Sequence, residues 1–249
     1  MEDRPLTIVE HLDELRRRIV YILIAVGITS TAAYLYNTQT LDFIMKIGRV
    51  DNLVFIKPAE AFFVIMKMSI LIGILGAMPF IFYQIWRYVG VALKKRERKY
   101  LIYFGPVSYL LFMCGGALAF FGVTPLAIRF FFSFSRESIT PLITLDSYIT
   151  FLNNMIIAFG LVFQLPLVIL LLTLIGVVTP DSLKKARKYA IVGIFAFAGV
   201  ITPTTDALSM LMLAVPVWGL YEISVLICMV VTRRRERAEF APEPVADTA

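Results

Sequence analysis

Six consecutive charged residues, Lys94-Lys95-Arg96-Glu97-Arg98-Lys99, separate two long and predominantly apolar runs, Phe62 to Leu93 and Tyr100 to Phe132. Runs of that length match what a helix needs to cross ~30 Å of hydrocarbon, and six charges cannot lie inside it. The stretch is therefore a loop between two membrane spans. Five of its charges are positive, which assigns it to the cytoplasmic side. Composition agrees: 59% of the 249 residues are hydrophobic and 17% charged, against about 45–50% and about 25% in soluble domains. The fold class is an all-α polytopic membrane protein, a single domain over residues 1–237.

The net charge of +6 is no nucleic-acid footprint, because the bases cluster at the ends of apolar runs. Cys114 and Cys228 both fall inside such runs, which leaves no disulfide framework and no thiolate metal site. The polar start, Met1 to Leu15, predicts no cleavable signal peptide and makes the first span a permanent anchor.

Thr7 and Glu10 have the spacing of a capping box. Leu12, Leu15 and Ile19 recur at helical spacing, and Asp13/Arg17 and Glu14/Arg18 are i,i+4 pairs. An amphipathic helix over residues 1–18 is expected to run into span 1 near 19–36. Leu41, Phe43, Ile44 and Ile47 predict a short interfacial helix. Spans follow near 63–88, 101–131, 148–177, 189–202 and 208–231, giving six with both termini cytoplasmic. Residues 238–249, rich in Ala, Pro and Glu, predict a disordered tail. Pro125 is the expected kink or break of span 3. Tyr189 to Thr202 reaches only ~21 Å at ~1.5 Å per residue, so spans 5 and 6 are expected to form a short hairpin in a thinned bilayer. The topology places 18 of the 24 Lys and Arg residues on one face.

Two polar groups sit at depth, Gln164 in span 4 and Glu222 in span 6. A buried carboxylate costs several kcal/mol unless water or a partner reaches it. Gln164 fits either a helix–helix hydrogen bond or a functional contact, and Glu222 either a structural pair or a functional carboxylate. Both are expected to line a water-accessible concave face. No chemistry of bond-breaking is visible: His11 is the only histidine, no metal-ligand cluster occurs, and no nucleophile stands beside a base. No cofactor is expected.

In order along the chain, the motifs resemble the TatC family, the multi-span receptor subunit of the twin-arginine protein translocase. The residues that carry the resemblance begin with His11-Leu12-Asp13-Glu14-Leu15-Arg16 and Pro58-Ala59-Glu60-Ala61-Phe62. Tyr83-Gln84-Ile85-Trp86 leads to Glu97-Arg98, followed by Thr124-Pro125-Leu126-Ala127 and Phe163-Gln164-Leu165-Pro166. Thr179-Pro180, Ile201-Thr202-Pro203 with Asp206, Leu213-Ala214-Val215-Pro216 and Tyr221-Glu222 complete the series.

The resemblance implies a receptor for twin-arginine signal peptides on folded export substrates, in a bacterial or archaeal cytoplasmic membrane. It implies a signal-binding set of Glu14, Glu97, Leu15, Arg16, Tyr88 and Arg98, with the two glutamates receiving the arginines. It also implies a periplasmic cap of Pro58, Glu60, Phe62 and Asp206, single-span partner subunits, self-association, and drive by the proton-motive force. Gln164 departs from members that carry a glutamate there, and Tyr88 from members with Phe. The residues fit this independently, since guanidinium binds carboxylate in a bidentate fork that lysine cannot reproduce. The same glutamates fit simple neutralisation of Arg17, Arg18, Arg96 or Arg98. A secondary transporter for a small solute or ion is the alternative function, although residues 1–125 and 126–249 show no convincing repeat.

Overall fold

The computed structural model describes residues 8–48, 53–92, 101–133, 143–201 and 207–239. Its helices are α1 (Ile8–Leu35), α2 (Asn37–Gly48), α3 (Glu60–Ala92), α4 (Leu101–Ala117), α5 (Thr124–Phe132), α6 (Leu145–Val162), α7 (Leu165–Leu174), α8 (Pro180–Ile201) and α9 (Ala207–Glu239). A π-helical segment, Leu118–Val123, joins α4 to α5. Among the described residues there is no sheet, only an isolated bridge between Val54 and Thr144.

Among the described residues, five helical stretches are long and apolar enough to cross a membrane: Val9–Leu35, Glu60–Gly90, Ile102–Phe132, Leu145–Leu174 and Met210–Arg233. The predicted span 189–202 is the apolar half of α8, whose other half carries Lys184, Lys185, Arg187 and Lys188. The amphipathic start and span 1 form one uninterrupted helix, α1, because nothing between Ile8 and Leu35 breaks it. Thr7, the other half of the expected capping box, lies outside the described residues, as do residues 93–100. Of the predicted disordered tail, Ala238 and Glu239 instead continue α9 as helix, and residues 240–249 lie outside the described residues.

The irregularities fall beside prolines. Pro125 has no N–H to give to the residue four back, and the ladder ahead of it shifts register: Thr124 donates to the Ala119 carbonyl, five residues earlier. The break expected at Pro125 is thus displaced into the preceding turn. Span 4 divides in the same way, with Phe163-Gln164 as the joint and Pro166 inside the first turn of α7.

The core is organised on α6. Ile149, Leu152, Met155, Ile156 and Phe159 recur along one buried face and meet Val64, Met68 and Leu71 of α3 and Leu213 and Val217 of α9. Half of the residues in the most apolar window of α6–α7 are buried, against 6% for α1, so α1 lies at the periphery. Close helix approach depends on missing side chains. A Cβ on Gly115 would stand 2.6 Å from the Phe159 carbonyl oxygen, which brings α4 against α6. Thr29 Oγ1 donates to the Gly73 carbonyl at 2.7 Å and seats α1 on α3.

The helix directions create two polar rims. One gathers the start of α1, the end of α3 and the start of α4, and adjoins the central loop. The opposite rim gathers the starts of α3 and α6.

Candidate functional site

At the central-loop rim, Arg18 ties α1 to α3. Its Nε donates to Glu14 Oε1 at 3.1 Å, and its Nη2 also bonds that oxygen. Nη1 donates to Gln84 Oε1 at 3.0 Å and approaches the Gln84 carbonyl at 3.4 Å. The guanidinium is nearly buried, while Glu14 keeps a quarter of its side chain exposed. A carboxylate in this position is mostly out of solvent, already arranged to bind a guanidinium, and still open on one side. Asp13 and Arg17 are exposed; of the two i,i+4 pairs in the sequence, only Glu14/Arg18 is found as an ion pair among the described residues.

The same rim is braced one turn further out, where His11 stacks on Tyr88 with centroids 4.4 Å apart and planes 19° from parallel. Leu15 is half-buried and Arg16 exposed. The structure therefore brings Glu14, Leu15, Arg16 and Tyr88 to one end of the bundle. Glu97 and Arg98 lie outside the described residues, between α3 and α4 in the sequence.

The two groups at depth both have partners. Gln164 Nε2 donates to the Ser108 carbonyl at 3.0 Å and approaches that of Gly160 at 3.5 Å. Ser108 Oγ in turn accepts from Trp86 Nε1 at 2.8 Å. Arg187 Nη2 donates to Glu222 Oε2 at 2.7 Å, and the neighbouring Tyr221 hydroxyl donates to the Leu183 carbonyl at 2.7 Å. A concavity of about 400 Å³ between α6–α7 and the α8–α9 hairpin is lined by apolar side chains with Tyr221, including Leu161, Ile194, Phe197 and Val217. Gln164 and Glu222 are not among the residues that line it.

At the opposite rim, Glu60 works as a clasp. Its Oε2 accepts from the N–H of Ile56 at 2.9 Å and of Lys57 at 3.3 Å, and its Oε1 from that of Asp146 at 3.2 Å. Val54 N donates to the Ile143 carbonyl at 3.3 Å, and Leu145 N to that of Val54 at 2.9 Å. The segment before α3 is thereby fastened to the start of α6. Pro58 stands exposed in the turn, and Phe62 is exposed with its ring edge-on to Phe63. Asp206 lies outside the described residues.

Four polar residues here escaped the sequence reading: Lys67, Asp146, Thr150 and Asn153. Lys67 Nζ donates to Asp146 Oδ1 at 2.6 Å and to Thr150 Oγ1 at 3.1 Å. Asn153 Nδ2 donates to the Lys67 carbonyl at 3.3 Å, while its Oδ1 is buried without a partner. The signal was present, since Lys67 is a charge at the sixth position of the apolar run from Phe62, far from the basic central stretch. Gln84 is a further omission as a site residue. Among the described residues, no group of three His, Cys, Asp or Glu side chains is placed to hold a metal ion.

These features define a polytopic helical membrane protein whose polar side chains fasten its rims and seams. The family model described as "Sec-independent protein translocase protein (TatC)" matches residues 10–216. A Sec-independent protein translocase protein TatC of Carboxydothermus hydrogenoformans is 40% identical over 229 residues, covering 91% of this chain and 94% of that one. The protein of that name from Aquifex aeolicus is 35% identical, with 95% and 100% covered. A chloroplastic relative from Arabidopsis thaliana is 34% identical, over 88% of this chain and 65% of its own. A crystal structure described as the twin arginine translocase receptor TatC superposes with a TM-score of 0.81 at 35% identity, covering 90% of this chain and all of that one. The chain belongs to the TatC family. That membership displaces the secondary-transporter alternative.

Proposed function

We propose that this chain is the receptor subunit of a twin-arginine translocase in a bacterial or archaeal cytoplasmic membrane. It spans the membrane six times with both termini cytoplasmic, and its central-loop rim faces the cytoplasm. Glu14 and Glu97 accept the two arginines of signal peptides on folded substrates, with Leu15, Arg16, Tyr88 and Arg98 around them. The names of the relatives and of the superposed receptor support this reading. So does the gathering of basic residues at one face.

The observation that carries the site is the state of Glu14. Its carboxylate already binds one guanidinium, Arg18, and remains partly open. An incoming arginine meets geometry made for it, whereas a lysine offers a compact ammonium without the planar fork. The fifth span is the apolar half of α8, a short element beside α9. The exposed apolar surface of α1, including Leu23, Ile24 and Ile28, supports contact with lipid, with single-span partner subunits or with a second copy.

Purified protein in detergent tests the reading. It should bind a twin-arginine signal peptide and not the same peptide with both arginines changed to lysine. Equal binding of the two peptides contradicts the proposal.

A further inference from the structure

Between the central-loop ends of α3 and α4 lies an open groove of about 650 Å³, whose walls include Pro79, Tyr83, Trp86, Arg87, Gly105 and Tyr109. Nothing in the receptor function uses it. Trp86 presents carbon to the groove, because its N–H is spent on Ser108 Oγ and its ring packs edge-on to Phe104, centroids 4.9 Å apart. Gly105 keeps the α4 wall low: a Cβ there would meet no atom within 4 Å.

Arg87 stands at the mouth. Its Nη1 donates to the Tyr83 hydroxyl at 3.2 Å, and its guanidinium carbon lies 6.0 Å from the centre of that ring. Among the described residues no carboxylate pairs with it. Most of its five N–H donors remain unspent. An arginine near the end of a membrane helix sits at headgroup depth, where a phosphate satisfies it in a bidentate fork. From Arg87 the groove runs eight residues along α3 to Pro79, or ~12 Å toward the bilayer centre.

The geometry points to a binding site for one anionic glycerophospholipid. Its phosphate pairs with Arg87, and the upper part of one acyl chain lies along Trp86, Gly105 and Pro79. A zwitterionic lipid brings the same phosphate but also its own cation, so it leaves Arg87 less neutralised. Basic pockets between spans select anionic headgroups on this ground.

Trp86 and Trp218 are the two tryptophans of the chain, so Trp218→Phe leaves Trp86 as the only reporter. That protein is reconstituted with phosphatidylglycerol or phosphatidylcholine carrying brominated chains, which quench a nearby indole. Brominated phosphatidylglycerol should reach half-maximal quenching at a roughly fivefold lower fraction of the lipid, the preference expected of one interfacial cation. Arg87→Gln should abolish the preference and Arg87→Lys should keep most of it. Gly105→Ile, which fills the groove, should reduce quenching by both lipids. Trp86→Phe leaves the exposed Trp218, which should show no preference. Equal quenching by the two lipids overturns the site. So does a preference that survives Arg87→Gln, since that would come from the basic central loop at large, and so does unchanged quenching in Gly105→Ile.

Discussion

Arg18 of α1 reaches Gln84 of α3, Nη1 to Oε1, at 3.0 Å, across 66 positions of sequence. This bond lets the exposed helix α1 hold a carboxylate in a fixed place, because the same guanidinium grips Glu14. Hydrogen bonds to charged groups contribute about 1.5–3 kcal/mol. Gln84→Ala should therefore lower thermal stability in detergent by an amount in that range and loosen α1. Faster hydrogen exchange in residues 9–20, with the rest of the bundle unchanged, would be its signature.

Gly115 sets the α4–α6 approach. A methyl group placed 2.6 Å from a backbone oxygen forces two helices apart, and overpacking of this kind costs about 1–3 kcal/mol. Gly115→Ala should lower the melting temperature in detergent. Gly105→Ala, in open space on the same helix, should leave it unchanged or raise it. Equal effects at the two glycines would contradict the packing described.

The Arg187–Glu222 pair joins α8 to α9 with both side chains partly exposed, at 46% and 27%. Solvent screening limits such a pair to about 0–1 kcal/mol. A double-mutant cycle with Arg187→Ala and Glu222→Ala should give a coupling energy in that range. The exchanged pair, Arg187→Glu with Glu222→Arg, should recover most of it. Zero recovery would show that Glu222 answers to another group.

The topology is tested by single cysteines in a protein lacking Cys114 and Cys228. Positions Asn52, Glu137 and Thr204 should react with an impermeant reagent from outside intact cells. Positions Lys95, Lys185 and Arg235 should react only after the membrane is opened. External labelling at position 185 would remove the hairpin of α8 and α9.

Five of the six expected spans match long apolar helices and were legible because hydropathy is a local property: a run of apolar residues that reaches across hydrocarbon needs no knowledge of its neighbours. An irregularity near Pro125 was legible for the same reason, although the π-helical turn before it was not, since it depends on how the rest of the ladder adjusts. The joint ahead of Pro166 was not read. The polar contacts were only half legible. Glu222 announced itself by depth, but its partner Arg187 stood 35 positions away in a segment read as an inner loop. Lys67 passed unnoticed because one charge barely alters the hydropathy of a 31-residue apolar stretch. Gln84 looked like any polar residue near a helix end until α1 was laid against it. Glu14 was legible both as an acceptor for an incoming arginine and as the i,i+4 partner of Arg18, and the structure shows it holding Arg18.

The central claim is that carboxylates at the central-loop rim receive arginines, and binding of a twin-arginine signal peptide to single variants tests it most directly. A partly desolvated charge-assisted bond contributes about 1.5–3 kcal/mol, or roughly ten- to a hundredfold in affinity. Glu97→Gln and Glu14→Gln should each weaken binding by that factor. Glu97→Asp should be milder, and Glu10→Gln, also near the start of α1, should change little. Unchanged affinity in Glu97→Gln and Glu14→Gln, with a loss in Glu10→Gln, would contradict the account.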